Sequence, residues 1–204
     1  MILSNMNSGC SVLAVTGGIG AGKSHVCRIF SSRHGIPVYD SDSHAKSLYD
    51  TDPVLLDKVR MIAGNDIISG DGKLLRSVLA AKIFNDASML SRVEAEVFPA
   101  VMRDFYNWKA RVEGSVRFVI IESAIFLAKP ILYPMADKVL YVDAPLELRI
   151  ARVMRRDGVA RDAVFERISN QPPVDLSNAS WIIDTSLGQE SIEKSVEDIV
   201  ASFS

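Results

Sequence analysis

The octapeptide Gly17-Gly18-Ile19-Gly20-Ala21-Gly22-Lys23-Ser24 constrains this chain more than any other segment, because it satisfies G-x-x-x-x-G-K-[ST] in the context that pattern requires. Before it runs the apolar stretch 11–16, which reads as a buried parallel strand. After it, residues 24–33 carry Val26, Ile29 and Phe30 at helical spacing and stop before Gly35, a helix terminator. Glycines let backbone N–H groups turn toward an anion, small residues permit close approach, and a helix start adds partial positive charge. The pattern points to a cradle for nucleotide phosphates, in which Lys23 reaches the β- and γ-phosphates and Ser24 offers its hydroxyl to Mg²⁺. The plainer alternative is a Gly-rich turn that only joins strand to helix. A dinucleotide site needs G-x-G-x-x-G, and Lys23 and His25 stand where the third glycine would fall, which disfavours NAD and FAD.

The rest of the chain extends the alternation of strand and helix. Residues 36–39 read as a second strand with Asp40 and Asp42 at its carboxyl end, and 116–121, 138–143 and 181–184 as further strands. A helix over 145–156 is expected to bury Leu146, Ile150, Val153 and Met154, and a closing helix spans 189–200. From about Pro53 to Val112 the patterns are helical, strongest over 74–84 and 86–112, with a turn-rich break at 64–72 and Pro99 as a kink or a new first turn. The expected fold class is therefore α/β, a parallel sheet sandwiched by helices, carrying a helical insertion.

Composition narrows the class. Of 204 residues, 48% are hydrophobic and 24% charged, the usage of a packed globular chain with one core domain. The formal net charge of -2 argues against coating nucleic acid through a global field, so any polyanion site is local. Cys10 and Cys27 make neither a disulfide framework nor a zinc site, which fits a reducing, cytoplasmic setting. Met1–Met6 lacks a basic region followed by a long apolar stretch, and no run approaches a membrane span, so neither secretion nor a membrane partner is expected.

A phosphate cradle alone does not separate a kinase from a GTPase or a motor. In an open parallel sheet ligands bind beyond the carboxyl ends of strands, where Asp40 and Asp42 could take a proton from a hydroxyl or hold Mg²⁺, or one of them could cap the helix starting near Ser43. Glu122 ends another apolar run and suits the Mg²⁺ surroundings, or pairs with a helix dipole. Between residues 149 and 167 stand Arg149, Arg152, Arg155, Arg156, Arg161 and Arg167. Arg149, Arg152 and Arg156 share one helix stripe and could form a flap that neutralises triphosphate charge, with Asp157-Gly158 as hinge; alternatively the helix is a solvated face paired with Glu147, Asp157 and Glu166.

Taken together, V-T-G-G-I-G-A-G-K-S, V-Y-D-S-D-S-H-A-K, R-x-x-x-R-D-G and E-R-I-S-N-Q resemble the dephospho-coenzyme A kinase family from Leu13 to about Asp184. That resemblance implies a P-loop NTPase fold of the nucleoside monophosphate kinase kind, with a core over 11–50 and 113–204, a helical substrate-binding insertion over 51–112 and a lid over 149–171. It implies transfer of the γ-phosphoryl group of ATP to the ribose 3′-hydroxyl of dephospho-coenzyme A. By the same resemblance Asp42 is the general base, and Lys23 and Arg152 act beside it. ATP contacts fall on Gly17, Gly18, Gly20, Ala21, Gly22, Lys23, Ser24, His25, Arg149, Arg152 and Arg156. Acceptor contacts fall on Asp40, Asp42, Arg76 and Glu122, and Mg²⁺ ligands are Ser24 and Glu122. The chain departs from the family pattern at His25, Lys46, Phe98-Pro99 and 124–128. Two rivals are a kinase for another small hydroxyl acceptor and a regulatory nucleotide switch, although the guanine-reading N-K-x-D element of a GTP switch does not occur. The expected assembly is a monomer or small homo-oligomer.

Overall fold

A computed structural model describes residues 9–203. Five strands form one parallel sheet: β1 (Ser11–Thr16), β2 (Val38–Asp40), β3 (Phe118–Glu122), β4 (Lys138–Asp143) and β5 (Trp181–Asp184), in the order β2-β3-β1-β4-β5. Each strand is short and apolar because a parallel sheet is covered on both faces. On one face Leu13, Val15, Phe118, Ile120, Leu140, Val142 and Ile183 pack with α1 (Lys23–His34) and the C-terminal helix Gln189–Ser202, through Val26, Ile29, Phe30, Ile192, Val196 and Ile199. Phe118 stacks on Phe203 and meets Phe30 edge-on. β1 is central, so the loop that follows it emerges from the middle of the sheet's carboxyl edge. Its neighbours there end in Glu122 and Asp143, and the outer strands in Asp40 and Asp184.

The chain divides into two compact units, the second being Ser41–Trp108. It contains α2 (Ser41–Thr51), α3 (Pro53–Ala63), α4 (Arg76–Asn85) and most of α5 (Ala87–Val112). Leu55, Val59, Ala63, Ile67, Leu79, Val93 and Ala100 form its core, and Leu48 and Tyr49 of α2 pack onto it. This unit begins at Ser41 and ends at Trp108, and the apolar side of α2 packs with α3 inside it. Asp52 caps α3 by accepting from the Leu55 amide at 2.9 Å. Pro99 lies inside α5 and does not begin a new helix.

Two further expectations are corrected. The second strand is displaced to Val38–Asp40, with Pro37 contributing only its carbonyl to Ile120, as a residue without an N–H must. In α6 (Leu146–Asp157) only Ile150 and Val153 are buried, packed with Val164 of α7 (Arg161–Ser169); Leu146 and Met154 are exposed at 40% and 36%. The helix covers a narrow surface, so its apolar stripe is two residues wide where four were expected. The C-terminal helix is α8. Among the described residues no helix is long and apolar enough to cross a membrane.

Candidate active site

The loop between β1 and α1 is shaped by close packing. At Gly17 a Cβ would lie 2.1 Å from the carbonyl oxygen of Val142, and at Gly20 it would lie 2.5 Å from that of Arg149 on a backbone with φ of 77°. Side chains are excluded at both points, as an anion-cradling backbone requires. Gly22 enters α1 in the left-handed region with no side-chain cap and no acidic residue in the first turn. The helix therefore presents its amino end, with its partial positive charge, beside the loop.

Lys23 folds back so that its Nζ donates to the carbonyls of Gly17 at 3.0 Å and Gly18 at 3.2 Å, which places the ammonium across the mouth of the loop. Ser24 Oγ donates to Glu122 Oε1 at 2.7 Å. Two residues 98 apart in sequence thus bring a hydroxyl and a carboxylate together next to a lysine, because β3 lies beside β1 with Glu122 in register with Val15. Asp40 is in register with Glu122 on the other side. Burial pushes the Cys27 thiol, one turn beyond Ser24, well up, and the Glu122 carboxylate adds to the shift. His25 turns aside: its Nε2 lies 2.9 Å from Gln189 Oε1 on α8.

The arginines have different partners. Arg149 Nε donates to the Ile19 carbonyl at 2.8 Å and its NH2 to Gln171 Oε1 at 3.0 Å, and Gln171 also accepts from the Ile19 amide at 2.9 Å. Arg152 NH1 reaches the carbonyls of Gly20 at 3.4 Å and Ala21 at 3.2 Å. Both side chains therefore brace the phosphate loop through its backbone carbonyls. Arg156 instead pairs with Asp157, at 2.6 Å and 3.0 Å, and Arg167 joins the same carboxylate at 3.2 Å. These two guanidiniums, Arg156 foremost, hold the Asp157 carboxyl at about 2. Because its folded value lies below the ordinary one, its contribution is present above about pH 4 and is lost as pH falls toward 2. An NMR titration should give a midpoint near 2 for Asp157, rising toward the ordinary value in Arg156→Gln; an unmoved midpoint would assign the shift elsewhere.

Beside Gly17, Gly18 and Arg149 opens a cleft of about 250 Å³, walled by Ile125, Tyr141, Ile168 and Leu176 among others. In the second unit, Asp42 is exposed in the first turn of α2, where a helix amino end favours a carboxylate. Arg76 donates to Asp50 at 2.7 Å and to the Lys46 carbonyl at 3.0 Å, so it ties α4 to α2. His44 Nδ1 lies 2.7 Å from Asp104 Oδ2, a pair joining α2 to α5 that spacing along the chain did not suggest. Gln171, which closes the E-R-I-S-N-Q element, and Thr185, which immediately follows β5 at the sheet edge where sites gather, take no assigned role from the sequence.

Known proteins resemble this arrangement along most of its length. The family model CoaE: Dephospho-CoA kinase matches residues 11–189. A protein of Porphyromonas gingivalis named dephospho-CoA kinase is 40% identical over 159 residues, covering 78% of this chain and 76% of its own. One of Corynebacterium diphtheriae with that name is 29% identical over 196 residues, covering 94% and 96%. The crystal structure of TT1252 from Thermus thermophilus superposes with a TM-score of 0.82 at 28% identity, covering 96% of this chain and 98% of that one. A shikimate kinase from Bacteroides thetaiotaomicron, at 14% identity and a TM-score of 0.55, covers 93% and 95% and shares the fold. The phosphate loop, the Ser24–Glu122 pair and the length of the match lead to one conclusion: the chain belongs to the dephospho-CoA kinase family.

Proposed function

We propose that the chain transfers the γ-phosphoryl group of ATP to the ribose 3′-hydroxyl of dephospho-CoA, with Mg²⁺ as the accompanying ion. The observation that carries this reading is the meeting of Lys23, Ser24 and Glu122 at the start of α1. Phosphoryl transfer asks for positioning and for stabilisation of charge on the transferred group, and little else from the protein. Loop amides and the amino end of α1 receive the phosphates, and Lys23 supplies a positive charge on a stem anchored by two carbonyls.

Mg²⁺ prefers hard oxygen ligands and commonly takes one or two from the protein and the rest from phosphates and water. The hydroxyl of Ser24 and the carboxylate of Glu122, 2.7 Å apart, suit that role. Bound there, the ion would neutralise charge on the β- and γ-phosphates. Arg149 and Arg152 keep the loop in shape and raise the local positive potential. Arg156 enters as an ATP contact through the family resemblance, with Asp157 as its partner in this structure. Asp42 takes the proton of the attacking hydroxyl, and Asp40 and Arg76 complete the acceptor side.

The test is a set of candidate acceptors offered with ATP and Mg²⁺, reading ADP release and the mass of the product. Dephospho-CoA should stimulate release strongly, and the new phosphate should sit on the 3′-oxygen. Stimulation by shikimate or by a nucleoside monophosphate instead, with dephospho-CoA inert, would replace the proposed acceptor.

A further inference from the structure

We propose that Thr185 is a positioning residue whose hydroxyl holds the phosphate loop and Arg152 in the geometry that nucleotide binding needs; the inference rests on the nucleotide-binding reading above. A backbone that turns its amides toward an anion leaves carbonyls turned the other way, and buried carbonyls must find donors. At Gly20 and Ala21 the donors come from two places remote in sequence. Thr185, only 5% exposed, donates through Oγ1 to the Ala21 carbonyl at 2.7 Å. The Asp143 carbonyl lies farther off, at 3.2 Å. Arg152 NH1 donates to the same Oγ1 at 2.7 Å, while its NH2 donates to the Thr185 carbonyl at 3.1 Å.

A hydroxyl has one proton and two lone pairs. With the guanidinium engaging a lone pair, the proton is directed at an acceptor, and the shorter contact is Ala21. The hydroxyl therefore relays between a cation and the loop, and the charge on Arg152 polarises it. Its place is set firmly. The Thr185 amide donates to the Asp143 carbonyl at 2.9 Å, continuing the β4–β5 pairing by one residue. The branched side chain, stiff about its first torsion, packs so near Gly22 that a Cβ there would lie 3.2 Å from it. Removing the hydroxyl takes the shorter of its two donors from the Ala21 carbonyl and leaves Arg152 only its longer bonds to the carbonyls of Thr185, Ala21 and Gly20, so the loop and the guanidinium are held less tightly.

ADP binding to the full chain, by calorimetry, and steady-state kinetics test this in Thr185→Val and Thr185→Ser. Valine keeps the shape and removes the hydroxyl; serine keeps the hydroxyl. Thr185→Val should weaken ADP binding and raise the KM for ATP by about tenfold or more, the scale of one buried bond to a charged group, with little change in the KM for the acceptor and a fall in Tm of about 3–6 °C. Thr185→Ser should restore both to near the parent. The inference fails if Thr185→Val binds ADP like the parent, if serine does not rescue, or if donor and acceptor constants move together. Should Thr185→Val not fold, Thr185→Ala replaces it, and failure of both makes the hydroxyl mere fold support and overturns the proposal. A parent chain that binds no ADP would overturn the nucleotide reading itself, an outcome separate from the others.

Discussion

Asp42→Asn is expected to lower turnover by about 10²–10⁴-fold, the usual contribution of a positioned general base, while leaving ADP affinity nearly unchanged. The amide keeps the size of the side chain and its ability to accept a hydrogen bond, but it cannot take up the proton that the attacking hydroxyl must lose. Asp42 lies in the first turn of α2, and its proposed part is to take up the acceptor's proton, which ADP does not carry, so ADP titration reads binding apart from chemistry. Single-turnover kinetics beside ADP titration separate the two effects. Unchanged turnover would remove Asp42 from the chemistry. Loss of ADP binding equal to the loss of turnover would make it a structural residue.

Lys23→Ala should damage binding and chemistry together. The ammonium is held by the carbonyls of Gly17 and Gly18, so truncation deletes a positive charge aimed at the phosphates and leaves two loop carbonyls without that donor. Loss of one such preorganised group costs about 10²–10³ in kcat, and ADP affinity should fall by about tenfold or more alongside it. Calorimetry with ADP and the initial rate at saturating ATP check both. A variant with normal ADP affinity and a depressed rate would restrict Lys23 to the transition state. One with a normal rate would contradict the phosphate-cradle reading at its centre.

Much of this architecture was legible in the residues, and the exceptions have common physical causes. β4 was read at its observed bounds because an apolar run flanked by charge leaves little choice of ends. The start of β2 was missed by two residues, since Pro37 is tolerated beside a sheet edge without belonging to the strand. That Leu48 and Tyr49 of α2 pack on the core of the second unit was not legible, because periodicity does not say which core receives an apolar side. Local pattern also overstated the buried stripe of α6, where exposure of Leu146 and Met154 depends on how little surface faces the helix.

At the site, the motif leads directly to Lys23 and Ser24, whose partners lie within a few residues or at a strand end. Arg149 and Arg152 could be located but not understood. Their acceptors in the loop stand 130 to 132 residues away, in backbone carbonyls that have no sequence signature. The same holds for Thr185, whose hydroxyl meets a carbonyl of the loop, the Asp143 carbonyl and a side chain of α6.

The order of the strands has one more effect. Four of the five finish on an acidic side chain, Asp40, Glu122, Asp143 and Asp184, and only the middle one finishes on Thr16 and runs into glycine amides. Charges at this spacing act on an incoming solute over roughly 8–10 Å in physiological salt. A highly anionic molecule drifting along this border meets repulsion on either flank and a single gap between, so the sheet itself gives a triphosphate one landing place before any side chain has closed on it.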